Sequence, residues 1–138
     1  MILPISFLFS INDPDFTSRI TVVSALDPYI AHAFVQTPIY DEATGNKIGY
    51  KVSDDYVQQV GPEVYIIRLS NTYSLDGRGS ISWNYTFEND TTSFYYPTNV
   101  QAVSTIVSGT GEFYGATGTV RLFPQSDGSR HVQIIFNS

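Results

Sequence analysis

From Gly79 to Phe87 the sequence alternates without interruption. Ile81, Trp83, Tyr85 and Phe87 fall on one side of an extended chain, and Ser80, Ser82, Asn84 and Thr86 on the other. A two-residue period is that of a β-strand with one face turned to a core. The pattern recurs in Val64–Tyr73, where Tyr65, Ile67, Leu69 and Tyr73 share a face opposite Val64, Ile66 and Arg68. It recurs again at the N-terminus, where Ile5, Phe7, Phe9 and Ile11 oppose Ser6, Leu8, Ser10 and Asn12. "GTVRLF" and "HVQIIF" read as two closing strands joined through Pro124 to Ser129. Turn signals punctuate these runs: Asn12-Asp13-Pro14-Asp15, Asp27-Pro28, Thr44-Gly45-Asn46, Gly61-Pro62, Asp76-Gly77, Glu88-Asn89-Asp90 and Asp127-Gly128. No stretch keeps a 3.6-residue apolar period over three turns. The nearest, "SALDPYIAHAF", is interrupted by Pro28. Short strands joined by short loops predict an all-β domain spanning residues 1–138, an up-and-down antiparallel barrel whose closure removes exposed edges.

Composition narrows the partners. Ten Tyr and nine Phe against one Trp and one Met suit a pleated surface. The net charge is −6, and no Lys or Arg occurs between Arg78 and Arg121. Nothing therefore resembles a phosphate-tracking basic patch, and neither nucleic acid nor an anionic membrane is an expected partner. The absence of cysteine excludes a disulfide framework, a thiol nucleophile and a thiolate metal site. "MILPISFLFSIN" is apolar but has no basic n-region or small-residue cleavage site, and it is too short to span a bilayer. It is expected to be the first strand, with no signal peptide or transmembrane segment, and the compartment stays open.

"SGTGEFYGATGTV" concentrates glycines at 109, 111, 115 and 118. A dinucleotide fingerprint would need G-x-G-x-x-G at the mouth of a helix. Here the second interval is one residue too long, and the strand-like "ATGTVRLF" follows. No Gly-Lys-Ser/Thr is present for a Walker loop. The segment is expected to be a strand end, then a turn carrying Phe113 and Tyr114, then a glycine-eased start of the last hairpin. Phe113 is expected to plug one end of the barrel.

"IVSGTGEFYGATGTVRL" resembles the "GGTG-x-F-x-G-A-x-G" segment of the allene oxide cyclase and dirigent families. "IYDEATGNKIGY" is similar to their shared hairpin and "YSLDGRGSISWNYTF" to their mid-chain strand pair; both also resemble bacterial spirotetronate cyclases. The resemblance runs from about residue 38 to the end. It implies an eight-stranded antiparallel barrel around an apolar cavity, assembled as a homodimer or homotrimer, that steers a reactive apolar intermediate without a cofactor. Two alternatives stand beside this cyclase, isomerase or dirigent role: a ligand-binding barrel without catalysis, and a structural subunit that keeps the fold without a pocket.

The resemblance aligns Phe9-Ser10-Ile11-Asn12-Asp13 with the "Y-E-I-N-E" strand of the cyclases, which makes Asn12 a candidate catalytic residue. Ser10 stands where that strand has its first Glu, and Thr117 where dirigent proteins have an Arg. Trp83 and Tyr85 are the other catalytic candidates, as aromatic walls with an N–H and an O–H to offer. Tyr65, Tyr73 and Phe113 are candidate ligand contacts. Arg68 joins them as an anchor for an acidic group, provided its side of the strand faces the cavity. His32 and His131 lack metal-ligand spacing and are expected to be structural. Asp54 and Asp55 are expected to face opposite ways in a solvated turn, so a proton-sharing pair is excluded.

Overall fold

The computed structural model describes residues 6–12, 17–90, 101–126 and 129–137; the side chains of Ser6, Asn12, Thr17 and Ser18 lie outside that description. Among the described residues nine strands form one antiparallel sheet: β1 (Ser6–Asn12), β2 (Thr17–Ser24), β3 (Ile30–Asp41), β4 (Lys47–Gly61), β5 (Val64–Leu75), β6 (Gly79–Asn89), β7 (Ala102–Gly109), β8 (Gly118–Pro124) and β9 (Ser129–Phe136). From β3 to β9 each strand pairs with its successor, β9 pairs with β1, and β1 returns to β3. That last pairing, Phe9–Ile11 against Ile39–Asp41, closes an eight-stranded barrel. β2 lies outside the ring and occupies the rest of the same edge of β3, from Ile30 to Gln36.

Alternation fixes which side chains fill the ring. Phe9, Ile11, Ile39, Val57, Ile67, Leu69, Tyr73, Ile81, Trp83, Val120, Val132 and Ile134 are all buried and form one cluster. Their removal from water is the main force holding the barrel closed. The N-terminal run is the first strand, as its alternation predicts; Met1 to Ile5 lie outside the described residues. Thr44-Gly45, Gly61-Pro62 and Asp76-Gly77 sit at the β3–β4, β4–β5 and β5–β6 turns. "SALDPYIAHAF" holds the end of β2, a bend and the start of β3. Among the described residues no helix is long and apolar enough to cross a membrane.

The two ends of the ring differ. At one end the β5–β6 turn meets the glycine segment, with Glu112 N–H donating to Arg78 O at 2.8 Å, and Asp76 N–H donates to Ile48 O just past the β3–β4 turn. There β7 stops at Gly109, a 3-10 turn runs Gly111–Phe113, and β8 starts at Gly118. Phe113 is fully buried while Tyr114 is 86% exposed. The Phe113 ring stacks on Phe136 at 6.0 Å and meets the Phe7 ring edge-on at 5.7 Å. Phe7 stacks on Phe9, Phe9 meets Tyr73 edge-on, and Tyr73 lies 6.1 Å from Trp83. A column of six aromatic rings thus runs from the plugged end into the middle of the barrel. Arg78 roofs the plug, with its guanidinium 4.8 Å above Phe7 and its Nε donating to Glu112 Oε2 at 2.7 Å.

Candidate functional site

Toward the other end the inner face stays aromatic but is only half-buried. Tyr65, Tyr85 and Phe87 point inward and pack against the core, with Tyr85 stacked on Phe87 at 5.8 Å. Tyr29, just before β3, meets Tyr65 edge-on at 6.4 Å. The Tyr29 and Gln59 amides fix this rim: Tyr29 N–H donates to Gln59 Oε1 at 2.9 Å and Gln59 N–H to Tyr29 O at 2.8 Å. Arg130 is buried at the same end, on the inner face of β9.

Between this tyrosine rim and the aromatic column lies a band of buried polar side chains. Cross-strand register sets them side by side, because Ser53 on β4 faces Asn71 on β5, and Asn71 faces Trp83 on β6. The next row toward the rim is Asp55, Leu69 and Tyr85. Ser53, Asp55, Asn71 and Trp83 are each less than 5% exposed. The Ser53 hydroxyl donates to Asp55 Oδ1. Asn71 Nδ2, Trp83 Nε1 and Thr37 Oγ1 have no hydrogen-bond partner among the described residues. Unpaired polar atoms are rare in protein interiors and cost about 1–3 kcal/mol each, so their grouping is a feature to be explained. The neighbour of Asp55 on β3 is Ala33, which reaches no further than a methyl group.

Burial holds the Asp55 carboxyl above the usual aspartate range, and the nearby charge of Asp54 adds to this. The Ser53 hydroxyl, Lys51 and the Ser70 amide act in the opposite direction without cancelling it. A carboxyl that keeps its proton can donate as well as accept. The linkage has a definite sign. Between the ordinary aspartate value and the raised value of Asp55, the folded protein holds a proton that the unfolded chain has released, so stability falls as pH rises through that window. Asp55→Asn is expected to remove this slope. Urea midpoints followed by circular dichroism from about pH 4 to about pH 8 check it, and an unaltered slope would contradict it.

The structure brings Tyr65, Tyr73, Trp83 and Tyr85 onto the inner face, where the alternation of β5 and β6 puts them. Phe113 is in the plug, linked to Trp83 through the column of rings. Asn12 ends β1 opposite Ser129, and its side chain lies outside the described residues. Two expectations need correction. Arg68 is exposed on the outer wall, where its Nη2 donates to Gln58 Oε1 at 3.3 Å, so the condition for its reaching the cavity is not met. Asp54 and Asp55 do face opposite ways, but in mid-strand rather than in a solvated turn: Asp55 goes in and Asp54 stays out, paired with His32. The His32 ring stacks on Tyr56 at 4.4 Å and meets Phe34 edge-on, while His131 Nδ1 lies 3.2 Å from Glu42 Oε1 on the outer wall. No group of three or more metal-binding side chains gathers among the described residues.

Two concavities open at the surface of the described residues. One, of about 390 Å³, opens at the plugged end between Phe7, Phe9, Leu75, Lys47 and Arg78. The other, of about 740 Å³, runs over the outer wall of β2 to β5.

No protein-family model matches the sequence, and no curated protein matches it either. Solved structures do match in shape. The chain is similar to pyocyanin demethylase, with 14% identity and a TM-score of 0.66 over 96% of this chain and 99% of that one. It is also similar to two pterocarpan synthase dirigent proteins. One has 18% identity and a TM-score of 0.51, covering 95% of this chain and 85% of that one. The other has 13% identity and a TM-score of 0.56, covering 96% and 95%. At these identities the likeness establishes the fold, and that fold is the dirigent-like barrel expected from the glycine and hairpin motifs.

Proposed function

We propose that the barrel takes an apolar small molecule through its tyrosine rim, holds the molecule's polar tip against Asp55, Asn71 and Trp83, and steers a reactive intermediate by fixing its conformation. The observation that carries this reading is the buried row Ser53–Asn71–Trp83 beside Asp55, with donors on Asn71 and Trp83 that no described residue satisfies. Donors of that kind in an apolar wall suit a ligand carbonyl or hydroxyl. The Asp55 carboxyl, held above the usual aspartate range by burial, lies beside the same oxygen and can donate to it in its protonated form. Orientation of the bound molecule supplies the remainder of the effect. The names of the structural neighbours, a demethylase of pyocyanin and synthases of pterocarpan, agree with small-molecule chemistry on this fold. Cyclase, isomerase and dirigent roles all fit such a site, and none requires a cofactor.

2-Naphthol, an apolar ring pair with one hydroxyl, is a suitable first probe. Asn71→Leu is expected to weaken its binding about tenfold by calorimetry, the loss of one buried hydrogen bond. Trp83→Phe is expected to act in the same direction. If both variants bind as the wild type does, the interior is not the site. Catalysis is then separated from binding with a reactive ring-closing substrate. Asp55→Leu, which removes the donor, is expected to lose control of the product ratio more than it weakens binding. An unchanged ratio would show that Asp55 does not steer the reaction.

A further inference from the structure

We propose that the outer groove over β2 to β5 is a second, independent binding site, and that it takes a small aromatic carboxylate. The site opens on the outer face of the sheet, where Arg19, Phe34, Gln36, Val52, Asp54 and Ser70 line it; of the polar band only Ser53 borders it. In the pairing register, Arg19 of β2 lies opposite Phe34, Phe34 opposite Asp54, and Asp54 opposite Ser70; Gln36 lies opposite Val52 in the neighbouring row. The groove lined by these side chains has a volume of about 740 Å³, within the range of small-molecule sites.

Its floor is apolar although it faces outward, with Phe34 55% and Val52 43% exposed. Phe34 is held from behind, because the His32 ring meets it edge-on at 4.3 Å, stacks on Tyr56 and is tied to Asp54. A ring fixed in this way offers its open side to a planar ligand at little entropic cost. Charge then selects the ligand. Asp54, the acidic group of the groove, is already engaged by His32. Arg19, the basic group, has no carboxylate partner among the described residues. A guanidinium beside an aromatic floor matches a carboxylate on an aromatic ring, through two parallel N–H···O bonds. Gln36 and Ser70 border the groove and can take a further ring substituent.

The probe is 2-naphthoate, titrated calorimetrically into the full chain. Arg19→Gln is expected to weaken binding at least about tenfold, through loss of the charged bidentate pair, and Arg19→Lys to restore part of it. Phe34→Ala is expected to weaken it as well. Asn71→Leu, which acts on the interior, is expected to leave 2-naphthoate binding unchanged, and Arg19→Gln to leave 2-naphthol binding unchanged. The two sites therefore stand or fall separately. Wild-type affinity for 2-naphthoate in Arg19→Gln would overturn the proposal, as would an absence of 2-naphthoate binding by the wild type. So would sedimentation showing that copies of the chain associate through this face, and that Phe34→Asp separates them.

Discussion

Phe113→Ala is expected to destabilise the protein by about 3–5 kcal/mol, the usual cost of emptying a fully buried phenylalanine site. With a urea slope of about 2 kcal/mol per molar, the midpoint should drop by roughly 2 M. The size of the effect follows from position. Phe113 is fully buried, its ring lies against both Phe7 and Phe136, and the Arg78 guanidinium sits 5.4 Å above it. Removing the ring leaves a void that strands already paired on both sides cannot close. A loss below about 1 kcal/mol would mean that the plug repacks freely and does not hold that end of the barrel.

Gly109→Ala is expected to cost on the order of 3 kcal/mol, at the upper end of overpacking effects. An added Cβ would fall 2.0 Å from the carbonyl oxygen of Phe113, so the backbone of the plug itself would have to move. Gly115, six residues on, provides the control. It adopts φ +77 with open space around it, so alanine there meets only the backbone preference, about 1–2 kcal/mol. Parallel denaturation of the two variants should rank Gly109→Ala as the more damaging. The reverse order would show that the 3-10 turn yields easily.

Strands with an apolar stripe could be read from sequence alone. In β6 every residue of one face from Ile81 to Phe87 is large and apolar and every one of the other polar, so the strand and its two faces followed from the alternation, while closure of the ring turned the apolar face inward rather than toward a subunit interface. The plug could be read as well, because glycines bracket Phe113 and Tyr114 in a turn at the barrel's end, where one aromatic can turn inward; Phe113 does and Tyr114 stays exposed. β4 could not. Its two faces are Gly49, Lys51, Ser53, Asp55, Val57 and Tyr50, Val52, Asp54, Tyr56, Gln58, and both mix polar with apolar residues. Only closure of the ring decides between them, by pairing Asp55 with Ala33 on one side and Leu69 on the other. The signal that was present is Val57: if it points inward, alternation carries Asp55 and Ser53 with it. Arg68 shows the converse, since its face was known relative to Leu69 and the inward side of Leu69 settles its exposure. The outer groove left no trace in sequence, because it depends on β2 sharing an edge of β3 with β1, an arrangement no local pattern encodes.

The aromatic column has a spectroscopic consequence. Trp83 is the protein's one indole, it is fully buried, and it stands at the inner end of a file of rings that begins at Phe136 and Phe113. Its emission therefore reports from the barrel's centre against a background of phenylalanine and tyrosine. Disturbing the plug reaches the fluorophore through Phe7, Phe9 and Tyr73, and toward the other end its next inner-face neighbour on β6 is Tyr85. The chain thus carries an intrinsic optical probe that responds to both ends of the barrel without any label.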